Sequence, residues 1–495
     1  MHCESRPGQT SYILPTSVMK AFQRLGGYCL PNIHTIYWKK HVTNLYARSL
    51  LHVPGPSLRH LHLASDHTQP HCYDPEELVS LQFPFSDASD AQTDVLELLA
   101  RLRDNCPQLQ TVTFKVLGAE LYATDALSNA ICSWFQLQTF QAPAVPINLS
   151  ALKHLASLPS LHTLNISLET SLELVDDSLP ALRSNMSPVF PCLRCLVANN
   201  IRADVCIQLL DAIQSCTLYN VSLLIAGHIP SEEIGNLCVA LGRHPSSAVI
   251  AKLCIRSLTT LSRCMDPHQA HSEPHHHNPL MIPAKRVHSP LPSSAISPLL
   301  SLKSLQHVSL LGPCFASLDD SMVAQMAVAW PQLSTAHLCH AATDSAPTLA
   351  GLAALAQCKH LEVLSIPISD VDERAVAAAM AMRPARLFTP ALEPEQRCPL
   401  RLLNVSSGWM SDGNAERTAA ALSAWFPELG SVVFEDVHKR AGVRFRDYKT
   451  LQENTHRWHQ AGLRIGTWVR IREQEQRWAG RRKLGSQEER STTIM

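Results

Sequence analysis

The chain has 495 residues, 45% apolar and 17% charged, with 42 Lys or Arg balanced by 42 Asp or Glu. A formal net charge of zero excludes a global field that would draw in nucleic acid or an anionic membrane, and the apolar content is that of a folded protein rather than a disordered one. Residues 1–15 carry no apolar secretory core, and no run approaches the length of a transmembrane helix, so no membrane association is expected.

In chain order, residues 1–29 read as an N-terminal cap segment, and from Leu30 a motif begins to recur. It is Pro-x-Leu-x-x-Leu-x-Leu, plainest at Leu158-Pro159-Ser160-Leu161-His162-Thr163-Leu164-Asn165-Ile166. Relatives of it start at Ile33, Leu58, Leu78, Leu109, Leu137, Leu193, Leu218, Ile250, Leu305, Leu333, Leu361, Leu400 and Leu429. Pro31, Pro56, Pro107, Pro159, Pro191, Pro331 and Pro427 each stand two residues ahead of a first apolar position. A period of about 28 residues is that of leucine-rich repeats. The expected fold is therefore an α/β solenoid, with a curved parallel sheet on the concave side and helices on the convex side.

Between strand motifs the apolar period changes from two to 3.6. Val95, Leu98, Leu99, Leu102 and Cys106 form one helical face, with Asp94 as expected N-cap and Pro107 as stop. Asp204 and Ser231 precede similar sets, and Asp370 with Glu373 resembles a capping box. Cys106 and Cys358 stand where other repeats have Trp330, Phe190 and Phe426, so they read as buried hydrophobes rather than disulfide halves. Reduced thiols place the chain in the cytoplasm or nucleus. The five Asn-x-Ser matches then lack a secretory route and count as noise.

Repeats are expected over residues 30–261 and 299–437. The intervening 262–298 is rich in His, Pro and Ser and reads as a disordered insertion. Its six histidines impose no ligand spacing, so no metal site is expected. Residues 438–483 read as a basic helical cap over the last repeat, with Leu451, Trp458 and Ile465 on one face, followed by a disordered tail at 484–495.

Alternation along each strand points the residues flanking the second leucine to the concave face. Candidate binding residues are His60, His62, Thr111, Thr113, Thr163, Asn165, His307 and His337. No carboxylate pair stands among them to supply acid and base, and neither a phosphate loop nor a dinucleotide motif occurs, so no enzyme and no cofactor is expected. A rigid ribbon of small polar groups suits protein recognition by a monomer through many modest contacts. Tyr37 is the lone concave aromatic, too little for a nucleic-acid platform.

The repeats of the form Cys106-Pro107-Gln108-Leu109 resemble the leucine-rich-repeat region of fungal F-box proteins. The opening Leu30-Pro31-Asn32-Ile33-His34-Thr35-Ile36-Tyr37-Trp38 is similar to the first repeat strand of that family. Trp425-Phe426-Pro427-Glu428-Leu429, followed by a tail with Trp458 and Trp468, is similar to its end. The likeness covers residues 13–480. It implies a substrate-holding repeat domain of a ubiquitin ligase, whose F-box docks on the adaptor of a cullin–RING assembly. Leu14-Pro15-Thr16-Ser17-Val18-Met19 is similar to an F-box start, but the strand at Ile33 leaves no room for its other helices. Binding to that adaptor is accordingly not expected of this chain as given. The alternative is a stand-alone scaffold or inhibitor unrelated to ubiquitination.

Overall fold

The computed structural model describes residues 32–38, 55–64, 88–115, 123–168, 189–226, 231–257, 292–312, 318–338, 346–381, 398–405, 409–434 and 448–492. The chain divides into two compact units, one formed by residues 1–173 with 186–193 and the other by 174–185 with 194–495.

In the first unit, strands β1 (Thr35–Trp38), β2 (His60–Ala64), β3 (Thr111–Lys115), β4 (Thr139–Ile147) and β5 (Thr163–Leu168) lie parallel and in sequence order. Helices α1 (Ala88–Asn105), α2 (Thr124–Ile131) and α3 (Leu149–Ser157) connect them. The second unit continues the pattern with β6 (Cys195–Ile201), β7 (Asn220–Ile225), β8 (Lys252–Ser257), β9 (His307–Leu311), β10 (Thr335–His337), β11 (Val363–Ile366), β12 (Leu402–Val405) and β13 (Ser431–Phe434). Its helices are α4 (Ala203–Ala212), α5 (Ser231–Arg243), α6 (Ser293–Ile296), α7 (Asp320–Ala329), α8 (Glu373–Ala381), α9 (Ala415–Trp425) and α10 (Tyr448–Thr492). Two 3-10 segments, Ser297–Ser301 and Gly351–Gln357, take the helix position in their repeats. Each unit is a stretch of α/β leucine-rich-repeat solenoid.

Every strand begins two residues after a motif start, so the motif sets the register. Leu109, Val112 and Phe114 are buried in one repeat, as are Leu161, Leu164 and Ile166 in another and Leu361, Leu364 and Ile366 in a third. One backbone carbonyl just ahead of most strands accepts two N–H groups from the next repeat. Gln110 O takes Gln138 N and Thr139 N at 2.8 and 3.0 Å, and Gln306 O takes Ser334 N and Thr335 N at the same two distances. Within each compact unit this repeated fork stacks neighbouring repeats and holds the leucines in columns.

The fourteenth expected segment, at Leu78, lies outside the described residues. β2 pairs directly with β3, His60 opposite Thr111, so one long interval stands in the sheet where two short ones were expected. The insertion at 262–298 falls almost wholly outside the described residues; its last part, Ser293 onward, begins α6. The periodicity gave three helix starts differently from the structure. α1 begins at Ala88, because Ala88, Ala91 and Gln92 ahead of Asp94 favour helix, and Asp94 is buried inside it. α8 is capped by Asp372, whose Oδ1 accepts Ala375 N at 2.7 Å. Asp370 instead accepts Trp409 N at 2.9 Å and ties two repeats together. α4 is preceded by Arg202, and Asp204 lies in its first turn, ion-paired to Arg202 at 2.8 Å.

Cys106 and Cys358 are buried and free, and burial pushes the Cys106 thiol up to about 12 and that of Cys358 up to about 11. They behave as small hydrophobes at the position where Trp330 and Phe426 are buried.

Helix α10 lies on α9 and β13. Trp458, Ala461 and Ile465 are buried there, while the Leu451 side chain lies outside the described set. A Cβ on Gly462 would stand 3.4 Å from Val432 of β13, so the helix backbone sits against the sheet. Asn454 Oδ1 accepts Met410 N at 2.9 Å, and Arg457 donates to Met410 O at 2.9 Å and pairs with Asp412 at 2.6 Å. The helical backbone runs to Thr492, beyond the expected boundary at 483, through the helix-favouring Gln487-Glu488-Glu489-Arg490.

Candidate functional site

The sheet face opposite the buried leucines carries the residues that flank each second leucine, and the register aligns them in rows. In the first unit one row reads Thr35, His60, Thr111, Thr139 and Thr163, and the other Tyr37, His62, Thr113, Gln141 and Asn165. Six of the eight expected residues therefore come together on this one surface. His62 is held on both sides by its neighbours. Tyr37 stacks on it with ring centroids 4.4 Å apart and planes 1° from parallel, and its Nδ1 is 3.0 Å from Thr113 Oγ1. Burial lowers the pKa of His62, and the charges of His60 and Lys115 lower it further. His60 is lowered by burial, Arg59 and His34. Both imidazoles are thus shifted toward the neutral form, on a surface that is mainly polar.

His307 and His337 belong to the second unit, on β9 and β10. The rows there read Asn220, Lys252, His307 and Thr335, then Ser222, Cys254, Ser309 and His337. Burial lowers the pKa of His307, with Lys252 and His337 adding to the effect. The longer strands β7, β8 and β9 also present a third row, Leu224, Arg256 and Leu311. A motif with two flanking positions does not include that row, so Arg256 was not among the expected residues. The strand length signals it, since Lys-Leu-Cys-Ile-Arg-Ser alternates for one step more than most repeats.

No strand sequence from β1 to β13 contains Asp or Glu, so the face offers no carboxylate pair for acid–base chemistry. Among the described residues no group of three or more His, Cys, Asp or Glu comes together as a metal cage. No helix among them is long and apolar enough to cross a membrane.

No protein-family model matches the chain, and no curated protein matches it. Solved structures with a similar fold include yeast Rad7 in complex with Elc1, at 14% identity and TM-score 0.34, covering 81% of this chain and 86% of that one. The leucine-rich repeat-containing protein LegL7 from Legionella pneumophila matches at 11% identity and TM-score 0.25, over 84% of this chain and 86% of its own. The plant peptide hormone receptor RGFR1 in complex with RGF2 matches at 10% and 0.30, over 86% of this chain and 53% of that chain.

Proposed function

We propose that this chain is a non-enzymatic protein-recognition module that binds its partner across the sheet face opposite the helices. The observation that carries the reading is the register. It fixes rows of His, Thr, Ser and Asn side chains on a rigid sheet, with the backbone hydrogen bonds already spent within the repeats. Such a surface offers many side-chain contacts at low ordering cost. The resemblance to F-box repeat proteins supports a finer reading, in which the bound partner is a ubiquitin-ligase substrate. A scaffold or inhibitor would use the same surface without transfer of ubiquitin.

The test compares partners captured by the intact chain with those captured by two variants. His62→Asp with Thr113→Asp changes the sheet face, whereas Lys153→Glu changes an exposed position on α3. A partner lost only with the first variant supports the reading. Loss with Lys153→Glu alone sinks it. Ubiquitylation of that partner, dependent on this chain and on a cullin–RING adaptor, separates the ligase reading from the scaffold.

A further inference from the structure

On the sheet face of the second unit, β8 brings two full positive charges into a surface that has no acidic side chain within any strand. Lys252 and Arg256 stand four residues apart, on the same side of one strand. Their backbone positions are therefore roughly 13 Å apart. The strands on either side, β7 and β9, contribute Asn220, Ser222 and Leu224, and His307, Ser309 and Leu311. Among the described residues Glu362 precedes β11 and is exposed. Among the described residues neither Lys252 nor Arg256 has an ion pair.

Two atoms on this surface are unsatisfied. The Nε of Arg256 is buried and has no hydrogen-bond partner, and so is the Oγ of Ser309 on the neighbouring strand. A buried donor left without an acceptor is costly, and a guanidinium is best satisfied by a carboxylate. With the backbone positions that far apart, each cation has room for a carboxylate of its own. Two carboxylates about four residues apart on an extended chain match the spacing, because an extended chain rises at the same rate as β8. Cys254 lies between the two cations, and Ser309 is its register partner, so the central part of such a chain would meet small side chains.

We propose that the β7–β9 face recognises an extended acidic segment of a partner protein, its carboxylates paired with Lys252 and Arg256. This rests on the reading of the chain as a recognition module and names the chemistry of what it recognises. Two cations are few for a polyphosphate backbone, and among the described residues Tyr219 is the one exposed aromatic beside them, which does not make a stacking platform.

The probe is a fluorescein-labelled Ser-Gly peptide with glutamate at every fourth position, titrated with the full chain and followed by anisotropy, beside the same peptide with glutamine. Binding of the glutamate peptide alone is expected, weakening at high salt. Arg256→Gln or Lys252→Gln should weaken it about tenfold. Arg256→Lys should restore part of it, with an unchanged melting temperature showing that the fold persists. Equal binding of both peptides, no binding of either, or indifference to the substitutions overturns the proposal. So does single-stranded RNA that binds more tightly than the peptide and is lost with the same variants. If a natural partner is lost with the His62 and Thr113 variant but kept with Arg256→Gln, the acidic-segment proposal fails while the recognition module stands.

Discussion

At the scale of single residues, this fold depends on side chains that have no room to change. Leu164 is fully buried at the centre of its repeat. Leu164→Asp would place an unpaired charge there and should cost several kcal/mol. A melting temperature that hardly moved would contradict the register. Gly351 is equally constrained, because a Cβ there would collide with the Asp320 carboxylate. That carboxylate cannot swing aside freely, since Thr348 donates to it from both N and Oγ1 at 2.7 Å. Gly351→Ala should destabilise by about 1–3 kcal/mol, measured by denaturant unfolding. A third case is His244, which is buried between two backbone partners. Its Nδ1 accepts Ser246 N at 3.1 Å, so its Nε2 carries the proton and donates to Ile213 O at 3.0 Å. Burial lowers its pKa, partly offset by the Ile213 hydrogen bond and the charge of Asp211. The unfolded chain therefore binds a proton more readily than the folded one. Stability from this group is complete above about pH 6.5 and is lost as pH falls toward the depressed folded value. The thermal midpoint should drop between neutral and mildly acidic pH, and His244→Asn should flatten that dependence. An identical pH profile in the variant would remove His244 from the explanation.

At the scale of the element, the legible part of the sequence was the strand. A strand needs only three apolar positions at fixed spacing, and Leu361, Leu364 and Ile366 supply them without help from distant residues. Caps were less legible because several acceptors compete within a few residues. Asp370 and Asp372 are equally good N-cap residues by type, and the tertiary position of Trp409 N decides which one caps α8. The candidate face was legible for His60, His62, Thr111, Thr113, Thr163 and Asn165, because alternation alone fixes the side on which they stand. Arg256 was not, because the length of β8 depends on its pairing with β7 and β9. The long helix α10 shows the same division. Trp458 and Ile465 were readable as an apolar face, whereas the anchoring of Arg457 depends on Met410 and Asp412, more than forty residues earlier in the chain. Trp458 is fully buried, so Trp458→Ala should cost about 3–5 kcal/mol through the cavity it leaves. Arg457→Ala should cost less, since Asp412 is exposed and solvent screens that pair. Chemical denaturation of the two variants ranks them, and the reverse order would show that α10 is held by charge rather than by burial.

At the scale of the molecule, a repeat within each compact unit is covered by its neighbour, and a terminal one needs a different cover. In the second unit that cover is α10, because Trp458, Ala461 and Ile465 occupy the apolar surface offered by α9 and β13. α9 is unusually buried for a repeat helix, with Thr418 through Trp425 all buried. Removing α10 would expose that surface together with the outer edge of β13, which among the described strands pairs only with β12. A chain ending at residue 439 should therefore aggregate or melt at a markedly lower temperature, and it should do so whether or not a binding partner is present. Scattering and thermal unfolding of the truncated chain measure both effects. A soluble truncation with an unchanged midpoint would mean that α10 is dispensable for folding. Its Arg-rich outer surface, and the exposed Leu463 and Trp478, would then have to be explained by binding instead.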